Sequence, residues 1–394
     1  MHNIFRALVL AAVTTLVIAS CSKTGSKPAV TPPTDTTKTT TTTTPHDSVT
    51  DVYVAGGLTK GTSQFTTPCY WKNDTEVDLS SGPYGGIAYG IAVSDTNVYV
   101  AGKVGNVAVL WKNGVLHALT SGIDDSSGAT SVYVLHDTVY VSISGYAQTL
   151  ALAENSEYLV IDPAGNSTET GLMDVLAHPG ADGIFAANGH VYAAGTGTTT
   201  PGYEFGQPKY FATPVYWQDG QEVGLPYEGI IPGAHLAYGS ANAICTIGTD
   251  VYTAGVIAGG ADATDYDDAN SYPVYWKNQT AVELDASATA PGLGFCLGIT
   301  AQGSDLYISG SEYEGVNYQP CYWKNGAINW LGQVGNAGQA TGIFVLGDTV
   351  YNAGMAYVGI NYNYTAVVWK NGQATQLAPN ASFSNAFTVF VYKH

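Results

Sequence analysis

The stretch Asp95–Gly114, DTNVYVAGKVGNVAVLWKNG, decides the fold, because the rest of the chain repeats it. Near copies of its first half, VYVAG, begin at Val52, Val98, Val139, Val191, Val251, Leu306 and Val350. Copies of its second half begin at Trp71, Trp111, Trp217, Trp276, Trp323 and Trp369. VYVAG mixes β-branched, aromatic and small residues in the alternation of a half-buried strand. AVLW, just before Lys112, reads as the next strand. Asn113-Gly114 is a hairpin signal, since a type I′ turn needs positive φ at both central residues. It recurs as Asn325-Gly326, Asn371-Gly372 and Asp219-Gly220, and in weaker form at Asn73-Asp74 and Asn278-Gln279. A further strand follows each turn, as in VLHAL from Val115. Another precedes each VYVAG, marked by an apolar residue seven positions before its first residue: Ile91, Val132, Ile184, Ile244, Ile299 and Ile343.

Each copy is therefore a four-stranded antiparallel meander of about 40–60 residues, a period that belongs to propellers. The sequence predicts an all-β, seven-bladed β-propeller over residues 51–394. The first copy lacks its inner strand, because Pro45 and a polar tract stand in its place. The run Ala386-Phe387-Thr388-Val389 supplies the missing strand, with Phe387 in the position of Ile91. Pairing of this C-terminal strand, Ala386 to Tyr392, with the strand at Val52 closes the ring and removes its free edges. In blade 3, LAENS from Leu152 aligns with LWKNG from Leu110, which puts Ala153 in the place of the tryptophan.

In such a blade the loop between the second and third strands shares a face with the connection to the next blade. The tight turns share the other. The long, variable segments then fall on one face, with Tyr203, Tyr227, Tyr238, Tyr266, Tyr272, Tyr313, Tyr318, Tyr357 and Tyr362 among them. The residue two before each inner-strand apolar position is expected at the mouth of the axial channel: Tyr89, Thr130, Asp182, Asn242, Leu297, Thr341 and Asn385. The candidate ligand-binding residues are thus Tyr89, Asp182, Asn242, Tyr203, Tyr266, Tyr313, Tyr318 and Tyr362. Asp265, Asp267 and Asp268, with Asp262, are weak calcium candidates in a loop that does not complete the EF-type order; a solvated acidic loop is the plainer account. The repeated tryptophans read as sheet-on-sheet packing.

With 13 Lys and Arg against 31 Asp and Glu, the net charge is −18. That balance excludes nucleic acid as a partner, since phosphates need cationic neutralisation. Scattered histidines and the absence of HExxH, GxSxG and a phosphate loop give no catalytic motif, and no cofactor is expected. Cys69, Cys245, Cys296 and Cys321 read as small buried residues, with a Cys245–Cys296 disulfide as the alternative in an exported chain.

Residues 1–20 read as a signal peptide: Arg6, then an apolar run. Val17-Ile18-Ala19-Ser20-Cys21 resembles the lipobox of bacterial lipoproteins. The resemblance implies cleavage before Cys21 and acylation (palmitate among the chains) of its sulfur and new amino group. Such lipid holds a protein at a membrane. Ser22 after the cysteine, by analogy with lipoprotein sorting, favours the outer membrane. Residues 21–50 form a Thr- and Pro-rich tether with too little apolar surface to fold.

The repeat period and the glycine after the second strand resemble kelch repeats, while the consistent double glycine of that family is missing. The GH and WD pairs of WD40 repeats and the Asp-box of sialidase propellers are absent. The expectation is a monomeric, lipid-anchored envelope propeller acting as a non-catalytic binding module for a glycan or an envelope protein. A glycan-acting hydrolase or lyase with acids from the blade 4 and 5 loops is the alternative, and a scaffold subunit of an envelope complex is the third.

Overall fold

Asn113 and Gly114 both adopt positive φ, 52° and 80°. They close the hairpin between Val107–Lys112 and Val115–Ala118. The left-handed conformation costs Asn less than most residues, because its short amide bonds locally. Here that amide has a defined task. Asn113 Oδ1 accepts the N–H of Val98 at 2.8 Å. The same bond recurs from Val52 to Asn73, from Val251 to Asn278, from Leu306 to Asn325 and from Val350 to Asn371. In blade 4 Asp219 takes the place of Asn and accepts the N–H of Val191. The WKN motif is thus a clip that ties the turn to the start of the VYVAG strand. Its lysine lies over the tyrosine of that strand, with Lys112 Nζ at 5.4 Å from the Tyr99 ring centroid.

The computed structural model describes residues 48–121, 125–147, 156–172, 180–198, 202–204, 207–209, 212–230, 236–260, 270–284, 293–358 and 363–394. They form seven four-stranded antiparallel sheets in a ring. Blade 2 runs Gly86–Ser94, Asn97–Val104, Val107–Lys112 and Val115–Ala118 from the axis outward. The other inner strands are Asp125–Leu135, Gly180–Ala187, Leu236–Ile247, Gly294–Gln302, Ala337–Leu346 and Phe383–Lys393. Each packs against the inner strand of the next blade, and the last packs against the first.

Closure is as the sequence predicts. Phe383–Lys393 pairs antiparallel with Thr50–Thr59, matching Val52 to Val391 and Val54 to Val389. The pairing extends to Val49 and His394, which exchange backbone hydrogen bonds at 2.8 and 3.0 Å. The alignment of the closing strand needs one correction. Ile91 pairs with Val100, and the equivalent residue to Val100 is Val54, whose partner is Val389. Val389, not Phe387, therefore occupies the Ile91 position.

Blade 3 also departs from expectation. Its third strand is Glu157–Ile161, and Leu159 pairs with Val141 as Trp111 pairs with Val100. Leu159, not Ala153, stands in the tryptophan position. The apolar run Tyr158-Leu159 fills the sheet-to-sheet space better than an alanine, and Asp162 to Gly165 supplies the turn, with the Gly165 N–H donating to the Asp162 carbonyl.

The six other blades each bury a tryptophan at 0 % exposure. A leucine eight residues later is the companion: Leu79, Leu119, Leu225, Leu284, Leu331 and Leu377. Each leucine N–H donates back across its hairpin to a carbonyl such as that of Pro68 or Ala108. The next carbonyl along then accepts the indole N–H of the following blade: Trp111 to Ser80, Trp276 to Pro226 and Trp369 to Gly332. Gly102 completes the arrangement, because a side chain there would meet the Ile87 carbonyl and the Trp111 ring. Packing of tryptophan between blades, rather than ligand contact, is what these residues do.

Candidate functional site

Every inner strand carries a β-bulge at the same place. The register slips between Ala88 and Gly90, Ala129 and Ser131, Ala181 and Gly183, Ala241 and Ala243, Cys296 and Gly298, and Ala340 and Gly342. In the closing strand it slips between Ala386 and Thr388. A bulge leaves one residue out of the ladder and re-aims its side chain. Those residues are Tyr89, Thr130, Asp182, Asn242, Leu297, Thr341 and Phe387, and all seven line an axial channel of about 750 Å³. Six match the sequence expectation. The seventh is Phe387, whereas Asn385 lies two residues off and opposite Gly57; this follows from the misplaced alignment of the closing strand. Six of the seven bulges are followed by Gly, Ala or Ser where strands converge, and a Cβ on Gly90 would sit 2.9 Å from the Val132 nitrogen; in the closing strand the residue that follows is Thr388.

Below the ring lies an apolar belt, made by the residues two further along each strand, Ile91, Val132, Ile184, Ile244, Ile299, Ile343 and Val389. Three of the bulge residues staple their blade to the next. Thr130 Oγ1 donates to the Ala181 carbonyl at 2.5 Å, Asn242 Nδ2 to Cys296 at 2.6 Å and Thr341 Oγ1 to Ala386 at 2.8 Å. Thr388 Oγ1 donates to the Tyr89 carbonyl at 2.7 Å. Asn242 Oδ1 is occupied as well, accepting Ser240 Oγ at 2.8 Å.

Asp182 makes no such bond. An ionised carboxylate has no proton to donate, so it cannot make the staple. Its side chain is exposed to the channel, yet the ring encloses it. That enclosure pushes its carboxyl up to about 6. Tyr89 and Phe387 meet edge to face in the same ring, with centroids 5.2 Å apart at 63°.

The tyrosines expected in long loops lie mostly on strands that continue past the ring. Tyr313 pairs with Tyr318 near the tip of the blade 6 hairpin, and Tyr357 pairs with Tyr364 in blade 7. Half-buried aromatic rings gather there: Phe295–Tyr318 at 5.3 Å, Tyr313–Tyr318 at 5.5 Å, Tyr357–Tyr364 at 4.5 Å and Tyr364–Phe383 at 5.6 Å. Burial, then the Tyr364 hydroxyl, pushes Tyr357 up to about 12, with Tyr318 adding to the shift. The cluster therefore bridges blades 6, 7 and 1. The sequence hides it, since Phe295, Tyr364 and Phe383 stand apart from one another and only the register joins them. Tyr227 and Tyr272 instead pack onto the core between blades 4 and 5. Tyr203 lies in a short hairpin, opposite Pro208. Cys21, Tyr266, Tyr362, Asp262, Asp265, Asp267 and Asp268 lie outside the described residues.

Cys69, Cys245, Cys296 and Cys321 are buried and unbridged, and burial raises all four thiols. Among the described residues no three His, Cys, Asp or Glu side chains gather into a metal site.

No family model matches the chain, and no curated protein is similar to it in sequence. Several solved structures align with the chain. The structure of YjhT aligns at 13 % identity and a TM-score of 0.42, covering 76 % of this chain and 99 % of its own. A polysaccharide lyase of family PL25, an ulvan lyase bound to -[GlcA(1-4)Rha3S]-, aligns at 9 % and 0.43, covering 82 % and 84 %. The haemagglutinin-neuraminidase of parainfluenza virus 5 aligns at 12 % and 0.37, covering 79 % and 92 %.

Proposed function

We propose that this chain is an envelope lipoprotein, anchored through lipid on Cys21, whose propeller is a non-catalytic binding module for a glycan or an envelope protein. The observation that carries the reading is the aromatic cluster of Phe295, Tyr313, Tyr318, Tyr357, Tyr364 and Phe383, half-exposed at the hairpin ends of blades 6, 7 and 1. Tyrosine offers an apolar face for a sugar ring or a partner side chain, and a hydroxyl for hydrogen bonding, at small entropic cost. The opposite face carries the tight turns, whose Asn side chains are already used as clips.

The test is a glycan array and an envelope-extract capture with the purified full chain. The comparison is wild type, a Tyr313→Ala/Tyr318→Ala variant, and an Asn113→Gly/Asn371→Gly variant on the turn face. Binding lost in the tyrosine variant and kept in the turn variant supports the reading. The reverse pattern defeats it, and cleavage of a captured glycan transfers the reading to a glycan-acting enzyme. The anchor has its own test: Cys21→Ser should block processing or release the protein from the membrane fraction, and unchanged maturation and fractionation would rule the lipid out.

A further inference from the structure

The axial channel has a chemistry separate from the half-exposed tyrosines. Asp182 is the one residue among its lining that carries a formal charge at neutral pH. Among the described residues nothing donates a hydrogen bond to it and no cation pairs with it; enclosure alone shifts it. Its neighbours in the ring, Thr130 and Asn242, donate to carbonyls of the next blade, Asn242 through one of its two amide N–H groups. A carboxylate enclosed by protein without a partner is costly, and the cost falls when a cation arrives. Two aromatic rings, Tyr89 and Phe387, line the same mouth, and aromatic faces attract organic cations. Beneath them the apolar belt offers no hydrogen-bonding side chain at its seven positions.

Other ligand classes fit less well. An anion is repelled by Asp182. Calcium takes six to eight oxygen ligands, whereas the ring offers one carboxylate, and the Asn242 carbonyl oxygen already accepts Ser240. A neutral polar ligand would leave the carboxylate uncompensated.

We propose that the channel binds an organic ammonium ion, with its charge against Asp182, its cationic head beside Tyr89 and Phe387, and its apolar body against the isoleucine belt. The assignment stands apart from the glycan reading and does not need it.

The test uses calorimetry on the purified full chain. The probes are choline, its neutral carbon analogue in which tert-butyl replaces trimethylammonium, and benzyltrimethylammonium. Choline should bind at least about tenfold more tightly than the neutral analogue. Benzyltrimethylammonium should bind more tightly than choline, because its ring adds apolar area against the belt. Asp182→Asn, which preserves shape, should lose about tenfold for both cations. Phe387→Leu should weaken them by a smaller factor while leaving the neutral analogue unchanged. In wild type the affinity should fall as pH drops through about 6, where Asp182 takes up a proton, and Asp182→Asn should show no such dependence. The other titratable groups of the lining, Tyr89, Tyr133 and Cys245, are all pushed upward by burial and do not change charge there. Equal binding of choline and its neutral analogue overturns the proposal. So does an Asp182→Asn variant that binds as wild type does, or absence of binding by either cation at millimolar concentration.

Discussion

Val54 lies beside Val389, so a residue from the first strand of the ring and one from the last share a ladder. Both are buried, at 2 % exposure each. The seam is therefore a packed sheet and not a loose contact of chain ends. It also supplies Phe387 to the channel mouth, which makes the C-terminus part of the candidate site.

Removing residues 386–394 should unfold more than blade 1. The deletion strips Val389 and Val391 from the core, each worth about 1.5–3 kcal/mol of burial, together with most of the ladder to Thr50–Thr59. Against a typical total of about 5–15 kcal/mol, that loss is large. The expected result is a melting temperature lower by more than about 10 °C, measured by calorimetry. A truncated chain that melts with the parent would show that the ring holds without its seam.

The tryptophans give a contrast between packing and surface. Trp111 is fully buried and its indole N–H holds the Ser80 carbonyl of the preceding blade at 3.0 Å. Trp111→Ala should cost about 3–5 kcal/mol. Tyr84, 71 % exposed, should tolerate alanine within about 0.5 kcal/mol. Chemical denaturation of the two variants measures the difference, and similar losses would remove the packing role assigned to the tryptophan.

Asn113 joins two requirements in one side chain. It holds positive φ, and its Oδ1 accepts the Val98 N–H. Asn113→Gly relieves the first and loses the second. Asn113→Ala loses both. Alanine should therefore be the more destabilising change, by about 1–2 kcal/mol in the left-handed conformation alone, with a further ~1 kcal/mol for the bond in both variants. Equal stability of the two variants in denaturant melts would mean that φ is not what selects Asn here.

The architecture was legible because its signals are local and repeated. VYVAG, the Asn-Gly turn and the buried tryptophan each follow from neighbours in sequence, and seven copies leave little choice of ring. The channel was legible for the same reason, since one bulge position read in a clean copy, at Tyr89, carries to five others. It failed at Asn385, where the copy is split between the two chain ends and no valine fixed the count. The leucine eight residues after each tryptophan is equally periodic, but the bond from the next blade's indole to the carbonyl that follows it, at Trp111, Trp276 and Trp369, is a contact between repeats that no single copy displays. Blade 3 misled because Ala153 has the right spacing, whereas burial follows Leu159. The aromatic cluster was legible only in part: the sequence puts Tyr313, Tyr318 and Tyr357 on one face, while Phe295, Tyr364 and Phe383 join them only through strand register across three blades.

Asp182 yields the last prediction, one of stability against pH. Its carboxyl is pushed from 3.8 up to about 6 in the folded ring. The folded state therefore holds a proton that the unfolded chain has released between those values. Stability must fall as pH rises through that window, because the folded state binds the extra proton there. Below about 4 the penalty is absent, and above about 6 it is complete. Asp182→Asn removes the charge at every pH, so the variant should be more stable than wild type at pH 7–8 and equal to it near pH 4. Water in the channel screens the carboxylate, which cuts the gain to on the order of 1 kcal/mol, or about 1–2 °C in melting temperature for a ring of this size. Thermal melts of both proteins across pH 4–8 provide the measurement. A gain of the same size at pH 4 and pH 8 would trace it to shape and not to charge, and no gain at pH 8 would mean that the enclosed carboxylate has found a partner when ionised.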